Sequence, residues 1–330
     1  MFPENTVIVL GAGASAEFGL PTGSSLFQRL LKEIPYKDKS SFSNSNNLSD
    51  YYLPSALMTT FNSYGNDMFN NEKLVEKARS TFESSIDLFS YNNSSVMRAA
   101  KFFTCWHIGA SMIRSVVKPS VYHEYYESWA YRNEWLLPYF SGKRNYIAEI
   151  ANKIVESSNS DSDVSKNLSV ISFNYDMIFE KSLMAFLSNS ERYGGNLDFY
   201  MPEIQYVYGS IPFYENVSPR LIAKDFDSIK FMMELDKEDE KIKSIREKIS
   251  SAEYIYLLGF SLDPVNVELI GLNFSNAKIF STCYDGNYET ISRLIRVGCD
   301  VDVDCMVGSE SAPVTLSKAA SSGLFSKHEF

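Results

Sequence analysis

The apolar positions fall into short β-branched runs near the start of the chain and in its second half, with a long stretch of helical periodicity between them. Val7-Ile8-Val9-Leu10 predicts a buried strand, and it runs into Gly11-Ala12-Gly13. Leu26, Phe27, Leu30, Leu31 and Ile34 then recur at helical spacing, with Thr22 or Ser24 available as a cap. Residues 35 to 51 shift to Ser, Asn, Lys and Asp, which predicts a loop. Helices are predicted over 72–89, 96–117 and 143–157, and the polar run 157–163 predicts a linker. From there strand and helix alternate. Strands are predicted over 168–173, 204–208, 253–258 and 278–283, helices over 175–187, 239–251 and 288–297, and an edge strand over 299–306.

That alternation predicts an α/β fold built on a Rossmann-like parallel sheet. The chain reads as a single domain, 1–330, with a large helical insertion over 35–165 after the first strand-helix unit. No internal repeat interrupts it. The aromatic density of 122–140, which includes Tyr122, Trp129 and Trp135, fits either a core or a contact between subunits.

Composition narrows the function classes. A net charge of −10 argues against direct nucleic-acid binding, which needs a basic surface. No run reaches membrane-spanning length, and Met1-Phe2-Pro3-Glu4-Asn5 lacks the charged and apolar segments of a secretory leader. The four cysteines, Cys105, Cys283, Cys299 and Cys305, contain no C-x-x-C pair, so neither a zinc module nor a disulfide framework is expected. A reducing cytoplasm fits that usage.

Candidate chemistry lies where apolar strands end. Gly11 to Ala16 spell G-x-G-x-x-A, a pattern that brings backbone N–H groups and a helix start close to a bound pyrophosphate. A dehydrogenase of this fold places an acid on the ribose about 20 residues later. Lys37-Asp38-Lys39 has no apolar strand before it, which disfavours that reading. Polar or glycine-rich residues also follow three later strands: Asn174-Tyr175-Asp176, Tyr208-Gly209-Ser210 and Gly259-Phe260-Ser261. Recurrence at strand ends is the footprint of one extended ligand site. The plainer alternatives are that Asn174 or Asp176 caps the next helix and that Gly259 to Ser261 is an ordinary turn. Asp87 reads as a solvated or capping helix residue.

In order, the segments GAGAS (Gly11 to Ser15), FNYD (Phe173 to Asp176), YGS (Tyr208 to Ser210), GFSLDPVN (Gly259 to Asn266) and STCYD (Ser281 to Asp285) resemble the motifs of the SIR2-like branch of the sirtuin superfamily. This branch includes bacterial NAD-consuming effectors of antiviral defence. SIDLF at Ser85 to Phe89 is similar to a further segment of that branch. The resemblance covers about two thirds of the chain and leaves the helical insertion unexplained.

The resemblance implies cleavage of the nicotinamide–ribose bond of NAD+, with NAD+ as substrate and no metal. It implies that Gly11, Ala12, Gly13 and Ser15 hold the pyrophosphate and that Thr22 is a further cofactor contact. Gly209, Ser210, Gly259, Ser261, Asn266 and Tyr284 would complete the nucleotide contacts, and Asn174, Asp176 and Tyr208 would be the catalytic set. Deacylation does not fit, because the four-cysteine zinc module of deacylating sirtuins is missing. The family's catalytic histidine is here Tyr208, and a phenol with a reference pKa of about 10 is a poor base near neutrality. Three readings stay open. Tyr208 holds ribose hydroxyls, or His107 or His123 reaches the pocket, or the domain binds NAD+ or ADP-ribose without cleaving it. An unrestrained NAD+ hydrolase is toxic, so a homo-oligomer or a separate sensor subunit is expected as a partner.

Overall fold

The structure, a computed structural model, describes residues 2–3, 5–16, 18–33, 71–81, 83–116, 146–157, 167–188, 201–212, 226–282, 292 and 294–296. Its strands are β1 (Thr6–Leu10), β2 (Leu168–Ser172), β3 (Glu203–Tyr206), β4 (Tyr254–Leu258) and β5 (Lys278–Ser281). Its helices are α1 (Ala12–Ala16), α2 (Gly23–Glu33), α3 (Asn71–Arg79), α4 (Ile86–Asn92), α5 (Met97–Val116), α6 (Tyr146–Ser157), α7 (Ile178–Ser188), α8 (Glu240–Ser251) and α9 (Pro264–Ile270).

The five strands form one parallel sheet in the order β3-β2-β1-β4-β5. β1 is central and wholly buried, which is why its residues form an unbroken apolar run. Thr6 lies opposite both Leu168 and Tyr254. Successive strands go to one side of β1 and then, from β4, to the other. The order therefore reverses between β1 and β4, the place where open α/β sheets bind ligands beyond their carboxyl ends. This is an α/β, Rossmann-like parallel sheet.

The chain divides into two compact units. The first comprises Met1–Leu20, Arg114–Ser210 and Asp236–Phe330 and holds the whole sheet; the second comprises Pro21–Ile113 and Ile211–Leu235. Within the first, α6 packs on α7, and Ile147, Ile150 and Ile154 form its buried stripe. Tyr146 stacks on Phe179 at 6.3 Å and touches Phe18 at 5.9 Å. α8 buries Ile242, Ile245 and Ile249, a narrow stripe at helical spacing. Each such isoleucine contributes about 1.5–3 kcal/mol relative to exposure. Within the second unit α2 packs on α3 and α4, with Phe27 against Phe89 at 5.4 Å. There the buried Lys101 donates to Glu234 at 2.8 Å, and Glu234 in turn accepts the Phe231 N–H at 2.8 Å.

Three elements differ from the periodicity. The helix predicted over 72–89 is two helices, α3 and α4. The hydroxyls of Ser80 and Thr81 turn back onto the carbonyls of Lys77 and Ala78 and end the first. Ser85, extended at φ −150°, caps the second by accepting the Leu88 N–H. α7 begins at Ile178, not 175, because the Asp176 carboxylate accepts the Ile178 N–H at 3.1 Å. α9 lies in a stretch for which no element is predicted, although its signals are in the sequence: Asp263 as cap, Pro264 at the first position, and Gly271 left-handed at φ 71° as the stop. The expected helix over 288–297 is described only at 292 and 294–296, which are helical. The loop over 35–51, the aromatic stretch 122–140, most of the linker 157–163 and the edge strand over 299–306 lie outside the described residues.

The loops after β1 and β4 touch backbone to backbone. Gly11 donates to the Leu258 carbonyl at 2.9 Å, and Gly13 to the Gly259 carbonyl at 3.0 Å. A Cβ on Gly13 would lie 2.9 Å from the Gly259 backbone, and one on Gly259 would overlap the Ala14 nitrogen. Gly259 also holds φ +59°, whereas Gly19, at φ +82°, has nothing among the described residues within 4 Å of a Cβ. Gly259→Ala should therefore cost about 3 kcal/mol or more, from collision plus backbone strain. Gly19→Ala should cost only about 1 kcal/mol, from strain alone. Urea unfolding of both variants checks this, and equal losses would contradict it.

Candidate functional site

Because the strands are parallel, the segments after β1, β2, β3 and β4 emerge on one rim. The first brings Ser15, on α1, against the segment after β2. Ser15 Oγ donates to Asp176 Oδ1 at 3.1 Å and accepts from Asn174 Nδ2 at 2.8 Å. The directions follow from chemistry: a carboxylate only accepts, so the single Ser15 proton goes to Asp176 and the Asn174 amide must donate. All three side chains are buried, at 3%, 5% and 6% exposure for Ser15, Asn174 and Asp176. Ser172 Oγ accepts the Asn174 N–H at 3.2 Å and fixes the backbone there.

Two consequences follow from this burial. Asn174 Oδ1 is buried and meets no hydrogen-bond donor among the described residues. An unmet buried carbonyl costs about 1–3 kcal/mol, the kind of cost found where a donor is to be received. Burial also raises the Asp176 pKa from 3.8 to about 6, against the lowering effect of the Ser15 hydroxyl and the Ile178 N–H. Asp176 is thus a carboxyl that titrates close to neutrality, in a position suited to acid–base work.

A phenol occupies the end of β3. The Tyr208 hydroxyl donates to Asn266 Oδ1 on α9. Its ring lies edge-on to Phe173 at 5.6 Å and 5.8 Å from Tyr175, and Phe173 meets Phe260 at 4.8 Å. Gly209, left-handed at φ 77°, and Ser210 follow on the rim, both half-buried. Gly259 donates to the Thr282 hydroxyl at 2.8 Å, Ser261 is exposed, and Leu262 holds a left-handed φ of 56°.

Gly11, Ala12, Gly13, Ser15, Asn174, Asp176, Tyr208, Gly209, Ser210, Gly259, Ser261 and Asn266 all belong to the first unit and to the strand-end segments of this rim. The N–H groups of Gly11 and Gly13, expected to face a phosphate, are instead engaged by Leu258 and Gly259. Close loop packing is the reason for those glycines. Thr22 belongs to the second unit, where its hydroxyl caps α2 by accepting the Ser25 N–H at 3.2 Å. His107 is buried in that unit, against Phe103 at 4.2 Å and with Arg29 3.5 Å from its Nδ1. Tyr284 and His123 lie outside the described residues. Thr282, Phe173 and Phe260 fall within motif segments named from the sequence but were given no individual role there, and Ser172 was not singled out. The alternation of aromatic and polar residues in Phe173-Asn174-Tyr175-Asp176 was the available signal for Phe173.

Among the described residues no group of three His, Cys, Asp or Glu could hold a metal ion, and no helix is long and apolar enough to cross a membrane. No family model and no curated protein matches the chain. Among solved structures it is similar to one described as the structure of Sir2Tm bound to a propionylated peptide. The identity is 11% and the TM-score 0.37, over 97% of this chain and 94% of that one. A likeness of that depth carries no functional weight.

The Asp176 pKa gives a stability prediction. The folded protein binds this proton more tightly than the unfolded chain does, so stability falls as pH rises from about 4 to about 6 and stays lower above. Two units at about 1.4 kcal/mol each make the loss about 3 kcal/mol. Asp176→Asn keeps the acceptor for Ser15 and Ile178 without the buried charge. At pH 7 it should be more stable than wild type by up to that amount, with the gap closing below pH 4. Urea unfolding across pH checks this, and a gap independent of pH would contradict it.

Proposed function

We propose that the protein is an NAD+ glycohydrolase that splits NAD+ and water into nicotinamide, ADP-ribose and a proton. The single observation that carries this reading is Asn174. Its amide nitrogen is held by Ser15, and its buried carbonyl oxygen has no donor among the described residues; a ribose hydroxyl or the attacking water would supply one. The order of strand-end motifs, which resembles SIR2-like proteins, supports NAD+ as the substrate, as does the rim at the switch between β1 and β4.

When the C1′–N bond breaks, its electron pair leaves with nicotinamide, which becomes neutral, and positive charge grows on the ribose. Asp176, as a carboxylate, stabilises that charge and then takes the proton that the adding water loses. Tyr208 is not the base in this account, because its hydroxyl proton is directed at Asn266. Activity should therefore rise with pH through about 6, as Asp176 ionises, and level off above.

The same commitment of Tyr208 favours a second reading, a subunit that binds NAD+ or ADP-ribose without cleaving it. Depletion of NAD+ in bacterial antiviral defence would be the biological use of the first reading. Control would then come from self-association or a separate sensor subunit, since an unrestrained activity would harm its own cell.

Incubation of the purified protein with NAD+, alone and with proteins encoded beside it, and chromatography for free nicotinamide, separates the two. Under the hydrolase reading Asn174→Ala should still bind NAD+ while nicotinamide release falls by about 100-fold or more. Binding of NAD+ without release under every condition would leave the second reading. No binding would reject both.

A further inference from the structure

Tyr208 touches more of the rim than any wall residue needs to. Its ring contacts Phe173 and Tyr175, the two residues that flank Asn174 in the chain, so its position bears on the backbone that aims the Asn174 amide. Its hydroxyl reaches Asn266 on α9, and α9 follows the loop from Gly259 to Asp263. That loop is held in an unusual shape. Gly259 and Leu262 both have left-handed backbones, and Phe260 is folded inward onto Phe173. One phenol thus joins the ends of β2 and β3 and the segment after β4.

We propose that Asn266 is a positioning residue that acts through Tyr208: by accepting the phenol proton it latches the segment after β4 onto the end of β3 and keeps Asn174 aimed at the substrate. This rests on the hydrolase reading for its effect on rate, but the latch itself does not. Asn266 then serves the site from the outside, holding the ring that holds Phe173 and Tyr175, and need not touch the nucleotide. The hydroxyl of residue 208 has a mechanical role in place of an acid–base one. An imidazole, with a different reach and donor direction, would not make the same bridge without moving the loop.

The test compares wild type, Tyr208→Phe, Asn266→Leu and the double variant, with Asn266→Asp as the conservative control that keeps an acceptor. Each single change should lower kcat by about 100-fold, the scale for a misplaced reacting group, while KM changes little. The double variant should be no worse than the poorer single, and Asn266→Asp should stay near wild type. A loss confined to Tyr208→Phe, or losses that multiply, would overturn the proposal, because the phenol would then act on its own account. If wild type binds NAD+ without releasing nicotinamide, the hydrolase reading and the expected effect on rate fail together, and the urea midpoints of the same proteins decide the latch. Urea midpoints need no substrate and decide the latch alone: non-additive shifts support it and additive shifts overturn it. Should Asn266→Leu fail to fold, Asn266→Ala removes the acceptor with less bulk and is judged by the same outcomes.

Discussion

The contact on which this site depends is the meeting of two backbones without side chains between them. Gly11 and Gly13 on one loop and Gly259 on the other exclude any Cβ, and two N–H···O bonds tie them together across the switch point of the sheet. With those loops fixed, the short helix after β1 is fixed as well, and Ser15 can stand only where it does, between Asn174 and Asp176. A larger residue at any of the three glycines would move α1 and separate the triad. The glycine pattern therefore serves geometry first. Its N–H groups are used to build the rim, which is a different use from the phosphate cradle that such a pattern suggests.

The triad itself works against stability. A buried carboxylate and an amide carbonyl with no donor among the described residues are both costly, although the carboxylate also accepts the Ile178 N–H at the start of α7. Costs of this kind are characteristic of ligand sites rather than of structural cores. The left-handed Leu262 in the loop after β4 is a smaller instance of the same kind, a backbone held in a rare region beside the rim.

Much of the fold was legible because buried parallel strands are written as apolar runs. Val7 to Leu10 and Tyr254 to Leu258 have little other use, and the carboxyl-end residues then follow by position. Asn174, Asp176 and Tyr208 were named from that logic and from motif order. What could not be read were distances and directions. Nothing in a string of letters says that Gly13 donates to Gly259, that Tyr208 donates to Asn266, or that Thr282 holds Gly259 from the next strand. Thr22 was read both as a cap of α2 and, from the resemblance, as a ligand contact, and its hydroxyl caps α2. The break between α3 and α4 was missed because apolar spacing continues through it, while the Ser80, Thr81 and Ser85 hydroxyls end one helix and start the next.

The central claim is that the Asn174 carbonyl receives a ribose hydroxyl or the water that attacks the ribose. A crystal structure with ADP-ribose, the expected product, tests it most directly. The account predicts the ribose that carried nicotinamide on the rim, with a hydroxyl of that sugar, or a water beside it, within about 3 Å of Asn174 Oδ1 and the Asp176 carboxyl on the side of its anomeric carbon. ADP-ribose bound away from the β1, β2 and β4 ends, or bound there with Asn174 Oδ1 facing only protein, would contradict it.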